Sequence, residues 1–326
     1  MQLFSGLDYL RIDISNQYGM DKETWDNRLL WFHANESKLA ELVSEADEPY
    51  MMSKAIMAYE DSLEGKEVGH NMYLDATASG ISIMAVLSGC YETAKKVNLV
   101  NTGNREDVYG HVADAMDTML DTEDKVNRSL IKQPLMTHFY CKVDQEDLND
   151  NQKEAFYIVL KDSFTGAEEV KDLIQSYWNP NALEHSWVMP DGHKAICKSK
   201  EMVNAKVEID ELDTTFTYRF KANNPTKRSS SLAPSLTHAT DGYIAREMVR
   251  RANKRGFELV HIFDAFAALP QYMNIVRQNY IDILCEIADS NLLADILSQI
   301  AGTKVEIEKT TNDLSKYIRE SDYALS

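Results

Sequence analysis

Arg128, Lys132, Met136 and Tyr140 recur at every fourth position of one stretch, Arg128-Ser129-Leu130-Ile131-Lys132-Gln133-Pro134-Leu135-Met136-Thr137-His138-Phe139-Tyr140. In a helix that spacing stacks them along one slowly drifting face about 18 Å long. The face then carries two cations, an apolar contact and a phenol. A nucleoside triphosphate needs that set: charge for its phosphates, a surface for its base and a hydroxyl beside its ribose. Arginine grips phosphate oxygens through paired donors. Lys132 can stabilise developing charge and return a proton to a departing pyrophosphate. Tyr140 is expected beside the base pair and the sugar.

Two aspartates far from this stretch complete the chemistry: Asp75 in Met72-Tyr73-Leu74-Asp75, and Asp264 in His261-Ile262-Phe263-Asp264-Ala265-Phe266. Both lie in apolar runs expected to be buried, where an unpaired carboxylate is costly. A shared pair of Mg²⁺ ions removes that cost. Two such ions about 3.5–4 Å apart activate an attacking hydroxyl and stabilise a leaving pyrophosphate. The main-chain carbonyl of Ala76 is a further oxygen ligand of the kind Mg²⁺ accepts. Taken singly, each feature has a plainer reading. An aspartate ending a strand is usually a turn or cap residue, an Arg/Lys pair is usually a solvated face, and Met136 and Tyr140 could be core. The combination points to phosphoryl transfer, with Asp75, Asp264, Lys132 and Tyr140 as its catalytic residues.

These residues require particular elements to position them. Residues 1 to 65 read mostly as helix, with Asp21 opening an acidic first turn and helical apolar spacing from Ser37 to Glu45. A short strand at Asn71 to Leu74 delivers Asp75, followed by a small-residue turn, Ala76 to Gly80, and a helix from Ile81. A second helix runs from Arg105 past Met119. Residues Glu201 to Asn223 alternate apolar and polar side chains, which predicts a β-hairpin. Asn224 to Ser235 reads as a loop. The remainder reads as helix from Asp241 to Arg255, strand from Phe257 to Phe263, a turn at Asp264, then helices. The class is α+β, a small antiparallel sheet carrying the aspartates among helices.

Composition sets bounds on this reading. A chain of 326 residues can form a large core, expected as two subdomains around one cleft. The longest apolar run, Ile81 to Ser88, is too short to span a membrane, so no membrane association is expected. The four cysteines form no CxxC pair, which argues against a zinc site or disulfide framework and suits a reducing compartment. The net charge of −18 conflicts with a nucleic-acid partner, which calls for a basic footprint. The acidic excess lies in the first 70 residues and from Asp144 to Glu154. Either the basic residues gather in the cleft or another chain supplies the nucleic-acid contacts.

The motifs resemble those of the single-subunit, phage- and mitochondrial-type DNA-directed RNA polymerases. The Arg-x3-Lys-x3-Met-x3-Tyr run is similar to that family's nucleotide-binding helix. Asp75-Ala76-Thr77-Ala78-Ser79-Gly80-Ile81 is similar to its first metal motif, and Asp264 with Phe266 to its second, which sits on a hairpin. Further resemblances are Asp107-Val108-Tyr109-Gly110, Trp187-Val188-Met189-Pro190-Asp191-Gly192, Ala233 to Gly242, and the tail Glu320 to Ser326. The resemblance implies a right-hand palm and fingers, two Mg²⁺ ions, and rNTPs, a DNA template and nascent RNA as ligands. It implies triphosphate binding by Arg128 and Lys132, with Met136, Tyr140 and His238 contacting the nucleotide. Related DNA polymerases carry a glutamate five residues after the first metal aspartate, blocking a ribose 2′-hydroxyl. Gly80 stands there in this chain and leaves room for it.

The departures are equally specific. Phe263-Asp264-Ala265 stands where the family has His-Asp-Ser, Cys141 replaces a glycine, and Gln133 replaces a basic residue. Pro134 is expected to kink its helix, because it removes a hydrogen bond and crowds the carbonyl of Leu130. The hairpin at 201–223 occupies the position of the family's promoter-reading hairpin, but is poor in Arg and Lys. The N-terminal domain, thumb and early palm motif are missing.

The resemblance therefore implies the C-terminal catalytic subunit of a phage polymerase split into two chains, working as a heterodimer in the cytoplasm of an infected bacterial host. An accessory single-stranded-DNA-binding protein is a further candidate partner. The expected division is palm over 1–90, fingers over 91–236 with the nucleotide-binding helix at 127–141, and palm again over 237–326. The rival readings are a primase- or DNA-polymerase-like relative, against which Gly80 stands, and a non-catalytic scaffold, against which Asp75, Asp264 and Lys132 stand.

Overall fold

The computed structural model describes residues 1–141, 145–227 and 231–326. Asp144 of the acidic segment and residues 228–230 of the loop before Ser235 lie outside the described residues. The N-terminal region is helical, as its apolar spacing predicts. Helix α1 (Gly6–Ser15) opens on a Ser5/Asp8 capping box. It runs into a π-helical turn at Asn16–Met20, where Gly19 takes a φ of 118°. Asp21 does not open the next helix. Thr24 does, accepting a hydrogen bond from the Asn27 N–H at the head of α2 (Trp25–Asn35). The helix expected from Ser37 to Glu45 is only one α-turn, α3 (Leu39–Leu42), flanked by 3₁₀ turns. Helix α4 (Pro49–Leu63) starts on its proline. Leu10, Ile14, Phe32, Met52 and Tyr59 close a small core between these helices.

The larger core is built around α5 (Ser79–Ser88), whose residues from Gly80 to Ser88 are all buried. Strand β1 (Met72–Asp75) feeds this helix. Helices α6 (Tyr91–Lys96), α7 (Val108–Asp117), α8 (Arg128–Phe139), α9 (Asp150–Ser163) and α10 (Thr165–Ser176) follow. A hairpin of β2 (Glu184–Val188) and β3 (Lys194–Lys198) precedes a longer one of β4 (Glu201–Ile209) and β5 (Thr214–Ala222). The period-two pattern at 201–223 is thus borne out as an antiparallel pair. Helix α11 (Leu232–Lys254) begins well before the expected Asp241, because Pro234 falls in its first turn, where its missing N–H costs nothing. Strands β6 (Val260–Ile262) and β7 (Ala265–Ala268) and helices α12 (Met273–Asp289), α13 (Leu292–Ala301) and α14 (Leu314–Ile318) complete the chain.

The site rests on a three-stranded antiparallel sheet in the order β1-β7-β6, with Asp75 opposite Ala265. Helix α7 starts at Val108 rather than Arg105. Helix α8 runs unbroken through Pro134. Its N-terminus is capped by the Asn127 side chain, and Thr137 Oγ1 donates to the Gln133 carbonyl one turn back. Buried Ile131, Pro134, Leu135, His138 and Phe139 hold the other face of α8 in the core, and that packing carries the helix past the proline. The class is α+β, as expected. Among the described residues no helix is long and apolar enough to cross a membrane.

Candidate functional site

Asp75 is the last residue of β1, and Asp264 lies in the two-residue turn between β6 and β7. Because Asp75 pairs with Ala265, the register sets the two carboxylates side by side. Both elements carry a non-glycine residue in the left-handed region, Ala78 (φ 47°) and Phe263 (φ 55°). Such positions cost energy and are held by their surroundings. The expectation of buried flanks holds on one side only. Met72, Leu74 and Phe266 are core, but β6 is a sheet edge, and Val260, Ile262 and Phe263 are exposed.

A cleft of about 300 Å³ opens in front of the two aspartates. It is lined by Asp75, Ala76, Gly80 and Asp264 on one wall and by Arg128, Lys132, Met136 and Tyr140 on the other. The expected face of α8 therefore meets the expected carboxylates in one pocket. Arg128 is held ready by Asp107, whose Oδ2 accepts from its Nε at 2.7 Å, and by the Tyr109 ring beneath its guanidinium. Lys132 is exposed and makes no ion pair among the described residues. Tyr140 lies against Gly80, where an added Cβ would come within 3.2 Å of its hydroxyl. The Tyr140 ring also packs on His238, with centroids 4.9 Å apart. His238 itself, on α11, is not among the residues lining the cleft and meets it only through Tyr140.

The charges show what the cleft lacks. Asp75 stays open to the cavity, yet desolvation by the surrounding walls, with the like charge of Asp264, pushes its carboxyl up to about 6. The Ala76 N–H, Lys22 and Arg105 offset only part of this. Asp241, one turn beyond His238, is likewise pushed up to about 6, by burial and then by Asp264 and Asp75. Burial, followed by Asp241 and Asp264, raises the Tyr140 phenol. Uncompensated negative charge of this kind suits a divalent cation. Among the described residues no three side chains gather as a ligand cage. Mg²⁺ needs no such cage, because it keeps waters and takes one or two carboxylates with substrate phosphates. Asp75 and Asp264 fit that requirement, and Ala76 on the same wall could add its carbonyl oxygen.

Sequence reasoning missed five residues of this site: Asp21, Lys22, Arg105, Asp241 and Ser326. Asp21 and Lys22 pair with each other at the cleft wall. Arg105 and Ser326 line the same wall. Ser326 belongs to the buried tail, where Leu325 bridges to Ala76 and the Ser326 N–H donates to the Asp75 carbonyl at 3.0 Å. The tail is anchored by Trp25, which stacks on Tyr323 and has the guanidiniums of Arg28 and Arg277 against its ring. Asp21 carried a sequence signal, but for a helix start. Asp107 and the tail carried a signal only through the motif resemblance.

A family model described as DNA-dependent RNA polymerase matches residues 4–153, a span holding Asp75 and the whole of α8. The mitochondrial DNA-directed RNA polymerase of Schizosaccharomyces pombe is 25% identical over 224 residues. Over residues 4–153 the chain is therefore similar to DNA-dependent RNA polymerases. The alignment with the Schizosaccharomyces pombe polymerase covers 53% of this chain and 19% of the relative. A probable DNA-directed RNA polymerase of Neurospora crassa is 28% identical, covering 41% of this chain and 17% of the relative. A mitochondrial DNA-directed RNA polymerase of Neurospora crassa is also 28% identical, covering 42% and 12%. The chain thus spans less than a fifth of the length of the polymerases it matches. These relatives are fungal, and two of them are mitochondrial. They overturn the expected setting in the cytoplasm of an infected bacterial host. Asp241, Asp264 and His238 lie beyond the segment that the polymerase family model matches.

Proposed function

We propose that this chain is the catalytic part of a DNA-directed RNA polymerase and joins rNTPs on a DNA template. The observation that carries this reading is the facing of Asp75 and Asp264 across one cleft by Arg128, Lys132, Met136 and Tyr140. Asp75, Asp264 and the Ala76 carbonyl would hold two Mg²⁺ ions. When bound, the ions supply the Lewis acidity that activates a 3′-hydroxyl and stabilises the leaving pyrophosphate. Arg128, aligned by Asp107, grips the triphosphate. Lys132 neutralises charge on the departing pyrophosphate and can give it a proton. Met136 supports the base. Tyr140 and His238, in contact with each other, check the sugar and the pair, and Gly80 leaves space for the 2′-hydroxyl.

In this reading residues 1–90 and 237–326 form the palm and 91–236 the fingers. In the same reading the charge of −18 supports a second polymerase subunit that supplies most contacts to template and RNA. An accessory single-stranded-DNA-binding protein would help on duplex DNA.

The test is RNA synthesis on a single-stranded or premelted template with Mg²⁺ and rNTPs, by the chain alone and by its native complex. RNA made by the complex and abolished by Asp75→Asn is the expected result. A stoichiometric complex that binds template and makes no RNA would overturn the catalytic reading.

A further inference from the structure

Arg105, like Lys22, is a cation of this cleft that no motif accounts for. It sits in the loop before α7, and that loop is unusually well fixed. Buried Asn98, at a φ of 62°, clamps Glu106 from both sides. Its Oδ1 accepts from the Glu106 N–H at 2.7 Å, and its Nδ2 donates to the Glu106 carbonyl at 2.9 Å. The same Nδ2 lies 3.0 Å from Thr77 Oγ1, in the turn that follows Asp75. Ser321 of the tail donates to the Asn98 carbonyl at 2.7 Å. Arg105 is thus tied through its neighbour to the turn after Asp75 and to the tail.

The guanidinium itself is only partly satisfied. Its Nε donates to Ser326 Oγ at 3.1 Å. Among the described residues its terminal nitrogens make no hydrogen bond, and no carboxylate comes within ion-pair distance. A guanidinium carries five donors in a rigid fork suited to phosphate oxygens. This one is half-buried and lines the cleft with Arg128, Lys132 and Lys22. Burial lowers its pKa from the ordinary arginine value, and Asp21, Asp107 and Asp75 offset only part of this.

We infer that Arg105 is a further phosphate-binding residue of the nucleotide site, oriented by its bond to Ser326 so that its free donors meet the triphosphate. This rests on the polymerase reading for the identity of the ligand. The bond from Nε fixes one edge of the fork and leaves the other to the anion. Lysine at this position would keep the charge but lacks the planar fork that bonds Ser326 from one edge and a phosphate from the other.

The experiment uses Arg105→Gln, Arg105→Lys and Ser326→Ala in the native complex, with inorganic tripolyphosphate and Mg²⁺ as the probe. Calorimetry gives the tripolyphosphate Kd, and RNA synthesis gives KM and kcat for rNTP. Arg105→Gln is expected to weaken tripolyphosphate and raise KM by about tenfold or more, the size of a lost charged hydrogen bond. Arg105→Lys recovers part of this, Ser326→Ala loses less, and Tm stays close to wild type. An unchanged Kd and KM in Arg105→Gln, whatever its Tm, would make Arg105 a structural tie for the tail and overturn the inference. So would a wild-type complex that binds no tripolyphosphate. A complex that makes no RNA yet binds tripolyphosphate through Arg105 would refute the polymerase reading and leave the anion site standing.

Discussion

Phe266 and Phe216 are the same residue on two antiparallel hairpins, and their situations are opposite. Phe266, on β7, is 1% exposed, packed near Tyr280 beneath the strand pair that carries Asp75 and Asp264. Phe216, on β5, is 53% exposed. The register shows why the second hairpin is open. Val203, Ala205 and Val207 pair with Phe220, Tyr218 and Phe216 on one face, while Asn204, Lys206 and Glu208 pair with Arg219, Thr217 and Thr215 on the other. The β4–β5 ribbon is amphipathic with its apolar face uncovered by the chain. The site sheet is short, but helices and tail pack around it. Regular alternation makes a strand, and only packing from distant parts of the chain makes it a platform for chemistry.

The largest effect that would test this contrast is on chemistry. Asp264→Ala and Asp75→Asn should each remove several kcal/mol of transition-state stabilisation, a loss of about 10³-fold or more in RNA synthesis, with template binding retained. Residual activity within tenfold of wild type would mean the sheet carries no catalytic carboxylates. Next comes stability. Phe266→Ala should cost about 3–5 kcal/mol as a cavity in the core, read as a fall in denaturant midpoint. The double change Phe216→Ser with Tyr218→Ser, on the ribbon, should stay within about 0.5 kcal/mol for each solvent-exposed site in the isolated chain. A comparable fall for both would show that the ribbon is covered after all.

Smaller effects sharpen the picture within the site. Gly80→Ala places a methyl group against the Tyr140 hydroxyl. A displacement of a few tenths of an ångström there should lower kcat/KM for rNTP by about tenfold, and an unchanged value would separate Tyr140 from the sugar. The smallest effect is electrostatic. Asp75 and Asp241 hold their protons more tightly in the folded chain than when unfolded, both at about 6. Their contribution to stability is therefore full below the ordinary aspartate range and is lost as pH rises through about 6. Asp75→Asn should stabilise the metal-free chain at pH 8 by about 1 kcal/mol, the two-unit shift being discounted for its access to solvent. The gain should vanish at pH 4. Under the proposed function RNA synthesis should have the opposite slope, falling below pH 6 as the carboxylates protonate.

What the sequence made legible follows the range of the forces involved. The face of α8 and the β4–β5 ribbon were readable because their periods are local. The aspartates were readable from strand-and-turn patterns around them, although burial was misjudged at β6, whose place at the sheet edge is a tertiary fact. Helix starts at Thr24 and Leu232 were missed where an acidic residue and a proline suggested other boundaries. Lys22, Arg105 and Ser326 come from loops and a tail with no period. They reach the cleft only through contacts across the fold, such as the Asn98 clamp, and Asp241, signalled only within a motif, meets the charges of Asp264 and Asp75 only in the folded chain. Pro134 was expected to bend α8, and the core side of that helix holds it in place.

Trp25 has a consequence of another kind. Its indole is fully buried, in contact with two guanidiniums and stacked on Tyr323, with Nε1 donating to the Asp322 carbonyl. An indole in such surroundings fluoresces differently from one released into water. The molecule therefore carries its own optical gauge of whether the tail is seated beside Asp75. Its emission, followed while nucleotide or template is added, would show whether that wall of the cleft stays shut as a ligand enters.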